Sequence, residues 1–152
     1  MDNREQSLKK LFDATDKVAC VTGASSGLGR HAANVLAQSG ASVVGIARRQ
    51  DALQDWQREN IGKVAFEAHD LGDETQLEKL ANKVSEHYGP PDILVHAAGL
   101  NNRVHADNIN QSEWQQTLWL NLSVPFFLSQ HFVPYMKAKN WGRIVNFASL
   151  QT

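Results

Sequence analysis

The chain has 152 residues, 42% of them hydrophobic and 20% charged. That is the size and make-up of one globular domain, and it excludes a disordered tract, a fibrous repeat or a protein with two cores. Fifteen Lys and Arg stand against sixteen Asp and Glu, so no basic field exists to hold a nucleic-acid backbone. The single cysteine, Cys20, cannot close an internal disulfide, and no Cys/His cluster has metal-ligand spacing. No run approaches the roughly 18 apolar residues of a membrane span, and no apolar targeting segment follows Met1. These features predict a soluble, cytoplasmic protein with no metal, no membrane and no nucleic acid among its partners.

Residues 1–16 read as a polar leader, and residues 17–152 as one unit in which apolar runs alternate with helical patterns. Strands are expected at Lys17 to Thr22, Ala41 to Ala47, Val64 to Ala68, Asp92 to His96 and Arg143 to Phe147. After the first, Leu28, Ala32, Val35 and Leu36 share one face at helical spacing, and Gly40 stands where a C-terminal cap belongs. The Ala52 to Asn60 stretch is a weaker helix anchored by Leu53 and Trp56. Leu77, Leu80, Ala81 and Val84 form another, stopped by Gly89-Pro90-Pro91. Ser112 to Lys139 opens on a capping signal at Ser112 and Glu113 and contains Pro125 and Pro134. It predicts a long helix bent near its middle, with apolar residues on two faces.

Strands alternating with helices at this interval predict an α/β, Rossmann-like, doubly wound parallel sheet that stops after its fifth strand. The first and third strands are nearly continuous in apolar residues, as strands buried on both faces must be.

The first strand runs directly into Thr22-Gly23-Ala24-Ser25-Ser26-Gly27-Leu28-Gly29, where a helix opens. Glycines at such a turn let backbone approach a pyrophosphate, the helix N-terminus offers unpaired N–H groups, and Ser25 and Ser26 add hydroxyls. A dinucleotide fold that prefers NAD usually has an acid near the end of its second strand, and there the chain reads Ala47-Arg48-Arg49. A guanidinium suits a 2′-phosphate, so NADP is expected, with NAD the alternative.

The spacing Thr-Gly-x-x-x-Gly-x-Gly resembles the short-chain dehydrogenase/reductase family. Asp70-Leu71, Ala97-Ala98-Gly99, Asn121 and Ser149 follow in the family's order over nearly the whole chain. The resemblance implies that Gly23, Ser25, Ser26, Gly27, Leu28 and Gly29 hold the pyrophosphate, and that Asp70 and Leu71 meet the adenine. It also implies that Ala97, Ala98 and Gly99 lie by the cofactor ribose. Asn121 would support a proton relay through an ordered water, and Ser149 would polarise a substrate carbonyl. His96-Ala97 replaces the Asn-Asn usual in the family; a histidine ending a buried strand reads as a core residue, and His105 and His131 sit in no motif. From residue type alone, Asp70 also fits a helix N-cap.

The family's general acid is a Tyr in a Tyr-x-x-x-Lys segment expected beyond Ser149. Neither Tyr88 nor Tyr135 is followed by Lys at that spacing, and the sequence closes at Thr152. The resemblance therefore implies the N-terminal part of an oxidoreductase, inactive by itself. When complete, such an enzyme moves hydride between a nicotinamide cofactor and a carbonyl or secondary alcohol and forms a homodimer or homotetramer. The flanking residues look like the family's sugar-acid and polyol dehydrogenases, the gluconate 5-dehydrogenase type among them, and Arg103 could meet a substrate carboxylate. The rival reading is a nucleotide-binding module without catalysis.

Overall fold

The computed structural model describes residues 11–149; residues 1–10 of the expected leader, and 150–152, lie outside the described residues. Five strands, β1 (Val18–Thr22), β2 (Ser42–Ala47), β3 (Val64–Ala68), β4 (Ile93–His96) and β5 (Arg143–Asn146), form one parallel sheet in the order β3-β2-β1-β4-β5. The helices between them are α1 (Gly27–Gln38), α2 (Gln50–Glu59), α3 (Leu77–Tyr88), α4 (Gln111–Leu118) and α5 (Val124–Ala138). Strand order reverses between β1 and β4, so a crevice opens at their carboxyl ends, the place where such sheets take ligands.

Alternation along each strand divides the core. Ala19, Val21 and Val43 face α1 and α2 with Leu53 and Trp56, while Cys20, Val44 and Ile46 face α3 and α5 with Leu80, Val84, Leu128 and Phe132. Trp56 is fully buried, its indole N–H donates to Asn34 Oδ1 at 2.8 Å, and a Cβ on Gly45 would stand 2.9 Å from its ring. Burial pushes the Cys20 thiol up to about 12, which leaves it unreactive. The leader's last residues are built into this body, since the Ala14 N–H donates to the Ser39 carbonyl at 2.8 Å.

Three expectations need correction. Leu28 and Val35 are 64% and 47% exposed; Gly29 and Ala33 are the buried residues of α1. The small residues face the sheet because a Cβ on Gly29 would collide with the Gly23 carbonyl, so the helix must lie close. β3 is an edge strand and not buried on both faces: Phe66 and Glu67 are half-buried and Ala68 is exposed. The cap of the long helix is Asn110, not Ser112. Asn110 Oδ1 accepts the Glu113 N–H at 3.0 Å and Glu113 Oε2 accepts the Asn110 N–H at 3.1 Å, a complete capping box.

The disturbance expected in the middle of the long helix takes the form of a π turn at Trp119–Ser123 between α4 and α5. Pro125 has no N–H to offer the Asn121 carbonyl, and the turn ahead of it widens, the Val124 N–H reaching back to the Trp119 carbonyl. Beyond it Val124, Leu128, Phe132 and Met136 repeat every four residues and face the core. Leu118, Leu122 and Phe126 remain exposed on the far side.

Candidate functional site

The loop from β1 to α1 builds the floor of the crevice. Gly23 and Ala24 N–H groups donate to the Ile46 carbonyl, at 2.8 and 3.2 Å, which locks the loop to the end of β2. Gly23 has φ +74°, and a Cβ there would stand 2.8 Å from the Ala97 carbonyl. Gly27 has φ +56° but faces open space. Ser26 is the N-cap of α1 without a side-chain capping bond, so the first-turn N–H groups remain available to an anion.

Thr22, buried at the end of β1, joins the floor to the wall. Its Oγ1 accepts the N–H groups of both Ala97 and Ala98 at 3.1 Å, fixing the chain as it leaves β4. Beyond Gly99, the Asn121 carboxamide grips Leu100 from both sides: Oδ1 accepts the Leu100 N–H and Nδ2 donates to its carbonyl, each at 2.8 Å. That pairing fixes the loop after β4 against the helical segment that carries Asn121.

The cleft so enclosed measures about 500 Å³. Gly23 and the run from Ser25 to Gly29 line its floor, Arg48 and Arg49 one rim, Asp70 and Leu71 a second wall, and Ala97, Ala98 and Gly99 the third. Every expected cofactor-binding residue thus meets in one place. Arg49 differs from Arg48 in being engaged: its Nη2 donates to Ser25 Oγ at 3.2 Å and Ser26 Oγ at 2.7 Å. Asp70 is not a helix N-cap. Its Oδ1 accepts the Gly72 N–H at 2.9 Å, while Asp73 caps the 3-10 turn at Glu74–Gln76. Ser149, three residues past β5, is exposed and not among the lining residues.

Sequence reasoning missed His69, Gln116 and Leu120, which also line the cleft. His69 Nε2 is buried with no hydrogen-bond partner among the described residues. Its place directly before Asp70 was the only available signal. His96 is a core residue: Nε2 lies 3.1 Å from Ser129 Oγ, Nδ1 is buried without a partner among the described residues, and burial lowers its pKa to about 4.

A larger groove of about 880 Å³ lies between α3 and α5, floored by Leu77, Trp119 and Phe127 and rimmed by Glu74 and Glu78. Its carboxylates would repel a phosphate, so chemistry favours the smaller cleft over the larger cavity. Among the described residues no cluster of three or more His, Cys, Asp or Glu could hold a metal ion, and no helix is long and apolar enough to cross a membrane.

Comparison with known proteins agrees with this geometry. The short chain dehydrogenase family model matches residues 17–152. An NAD-dependent glycerol dehydrogenase of Listeria innocua is 33% identical over 92% of this chain and 55% of its own length. A 2-dehydro-3-deoxy-D-gluconate 5-dehydrogenase of Formosa agariphila is 27% identical over 93% of this chain and 55% of its own. A crystal structure of a putative NAD(P) dependent gluconate 5-dehydrogenase from Beutenbergia cavernae, with bound NADP, superposes with a TM-score of 0.82 at 30% identity, over 91% of this chain and 56% of that one. The chain thus spans about half the length of the relatives it matches. A glycine loop, a switch-point cleft and a matched family model lead to one conclusion: this chain belongs to the short-chain dehydrogenase family.

Proposed function

We propose that residues 17–152 are the cofactor-binding portion of an oxidoreductase that interconverts a carbonyl and a secondary alcohol with NADP(H). The observation that carries this reading is the uncapped start of α1 at the switch point, with Gly27 open to the cleft and two arginines on its rim. The donor set suits a dinucleotide. First-turn N–H groups and the Ser25 and Ser26 hydroxyls would hold the pyrophosphate, Arg48 and Arg49 a 2′-phosphate, Asp70 and Leu71 the adenine, and Ala97 to Gly99 the second ribose. When bound, the nicotinamide supplies or accepts the hydride.

Arg49 already touches both serines, so it can bridge the loop and a 2′-phosphate, while Arg48 approaches the same group from the rim. In the complete enzyme Ser149 binds the substrate oxygen, and Asn121, which also holds Leu100 in place, supports a proton relay through an ordered water. Neither Tyr88 nor Tyr135 is followed by Lys at the family's spacing, and on this reading the chain alone binds cofactor without turnover. The substrate is a sugar acid or polyol, a reading supported by the names of the relatives and by Arg103 in the polar stretch after β4.

Titration with NADPH and NADH tests the assignment. NADPH should bind tighter by about tenfold, near 1.4 kcal/mol, and the double change Arg48→Asp with Arg49→Asp should erase or reverse the gap. Equal affinities in the unchanged chain would refute the arginines as phosphate ligands.

We further propose that the α4–α5 face pairs with a second copy. From Trp114 to Met136 the sequence contains no Asp, Glu, Lys or Arg, and Trp114, Leu118, Leu122 and Phe126 are exposed. Antiparallel pairing would set Glu113 of one copy near Lys137 of the other. Sedimentation should show a dimer or tetramer that Leu122→Glu dissociates; a monomer at micromolar concentration would contradict it.

A further inference from the structure

The π turn reaches both sides of the cleft. The Trp119 indole N–H donates to the Leu71 carbonyl at 2.8 Å, Leu120 lines the cleft directly, and Asn121 grips Leu100. Leu71 follows β3 and Leu100 follows β4, strands separated in the sheet by β2 and β1. In an uninterrupted α-helix three consecutive residues fan across about 200°, more than half the circumference. The wider turn narrows that fan, and residues 119, 120 and 121 all serve the cleft.

The wall at Leu71 has few other supports. Gly72 N–H to Asp70 Oδ1 (2.9 Å), Asp73 N–H to the Asp70 carbonyl (3.1 Å) and Thr75 N–H to Asp73 Oδ1 (3.0 Å) are all local. Among the described residues, the Trp119 indole makes the one hydrogen bond that ties residues 70–73 to a distant element. Leu71 itself is buried, and the Trp119 ring packs against the same core cluster.

We propose that Trp119 is the positioning residue of the adenine wall. Through the Leu71 carbonyl it sets where Leu71 and Asp70 stand, and so strengthens binding of the adenosine half of the cofactor. This rests on the reading of the cleft as a dinucleotide site.

The test uses the whole 152-residue chain, with NADPH and with adenosine 2′,5′-bisphosphate as probes. Trp119→Phe keeps an aromatic ring and removes the donor. The dissociation constants of both probes should rise together by about 3- to 10-fold, the loss of one net hydrogen bond. In the unchanged chain the Trp119 indole N–H resonance should shift on adding the bisphosphate and stay in place on adding nicotinamide mononucleotide. This spectroscopic reading needs no variant, and so stands even where Trp119→Phe folds poorly. If the unchanged chain binds neither probe, the dinucleotide reading falls and the role of Trp119 falls with it. If it binds both but the indole resonance does not move and the variant binds within twofold of the original, the role of Trp119 is overturned and the dinucleotide reading stands.

Discussion

The two edges of the sheet are built differently. At β3 the edge is finished: Glu67 reaches His87 Nε2 at 2.8 Å and Lys83 Nζ at 3.9 Å, placing charge along a strand that has one neighbour. At β5 no ion pair is found among the described residues. Arg143–Asn146 is exposed along its whole length, and Ile144, Val145 and Phe147 present apolar surface at 41–46% exposure. Natural edges are blunted with charge, whereas strands covered on both faces are apolar on both. β5 thus pairs with β4 on one side and leaves its apolar side chains open to solvent.

The largest expected effect tests that contrast. Trp56→Ala, on the closed side, should cost about 3–5 kcal/mol in urea denaturation. Val145→Thr, on the open side, should change stability by less than about 0.5 kcal/mol. Comparable losses at the two positions would erase the distinction.

A smaller effect concerns the buried titratable group beside β5. His96 is held neutral, its pKa lowered from 6.5 to about 4 by burial, so the unfolded chain binds the proton more readily. Its contribution is whole above pH 6.5 and is lost as pH falls from there through 4. Between those limits the chain should lose on the order of 2–3 kcal/mol more stability than its His96→Asn form. Parallel pH profiles for the two would show that His96 is solvated.

The smallest stability effect is expected at the phosphate loop. Gly27→Ala forces a side chain into a left-handed backbone with open space around it, costing about 1–2 kcal/mol, yet the new methyl would occupy the path of the pyrophosphate. NADPH binding should weaken by at least about tenfold; a variant that loses stability but keeps its affinity would show that the loop is only a turn.

Much of this arrangement is legible in the sequence. Glycine spacing marks Gly23 and Gly27 because only a left-handed backbone closes that turn, and the strands announce themselves through apolar runs. What misled was size. On α1 the large Leu28 and Val35 suggested the core face, but close approach to Gly23 puts Gly29 and Ala33 there. Pairings set by tertiary structure were equally hidden: neither Arg49 on the two serines nor Thr22 beneath Ala97 and Ala98 follows from spacing. Pro125 did signal a disturbance in the long helix, but not that it would be a π turn or that Asn121 would close on Leu100.

The central claim is that the smaller cleft, rather than the larger groove, receives a dinucleotide. Amide chemical shifts of the labelled chain, recorded while NADPH is added, test it most directly. Saturable shifts at Gly23 to Gly29, Asp70 to Gly72 and Ala97 to Leu100 are predicted, with the groove lined by Glu74, Glu78 and Phe127 unmoved. Shifts confined to that groove, or none at millimolar NADPH, would contradict the account.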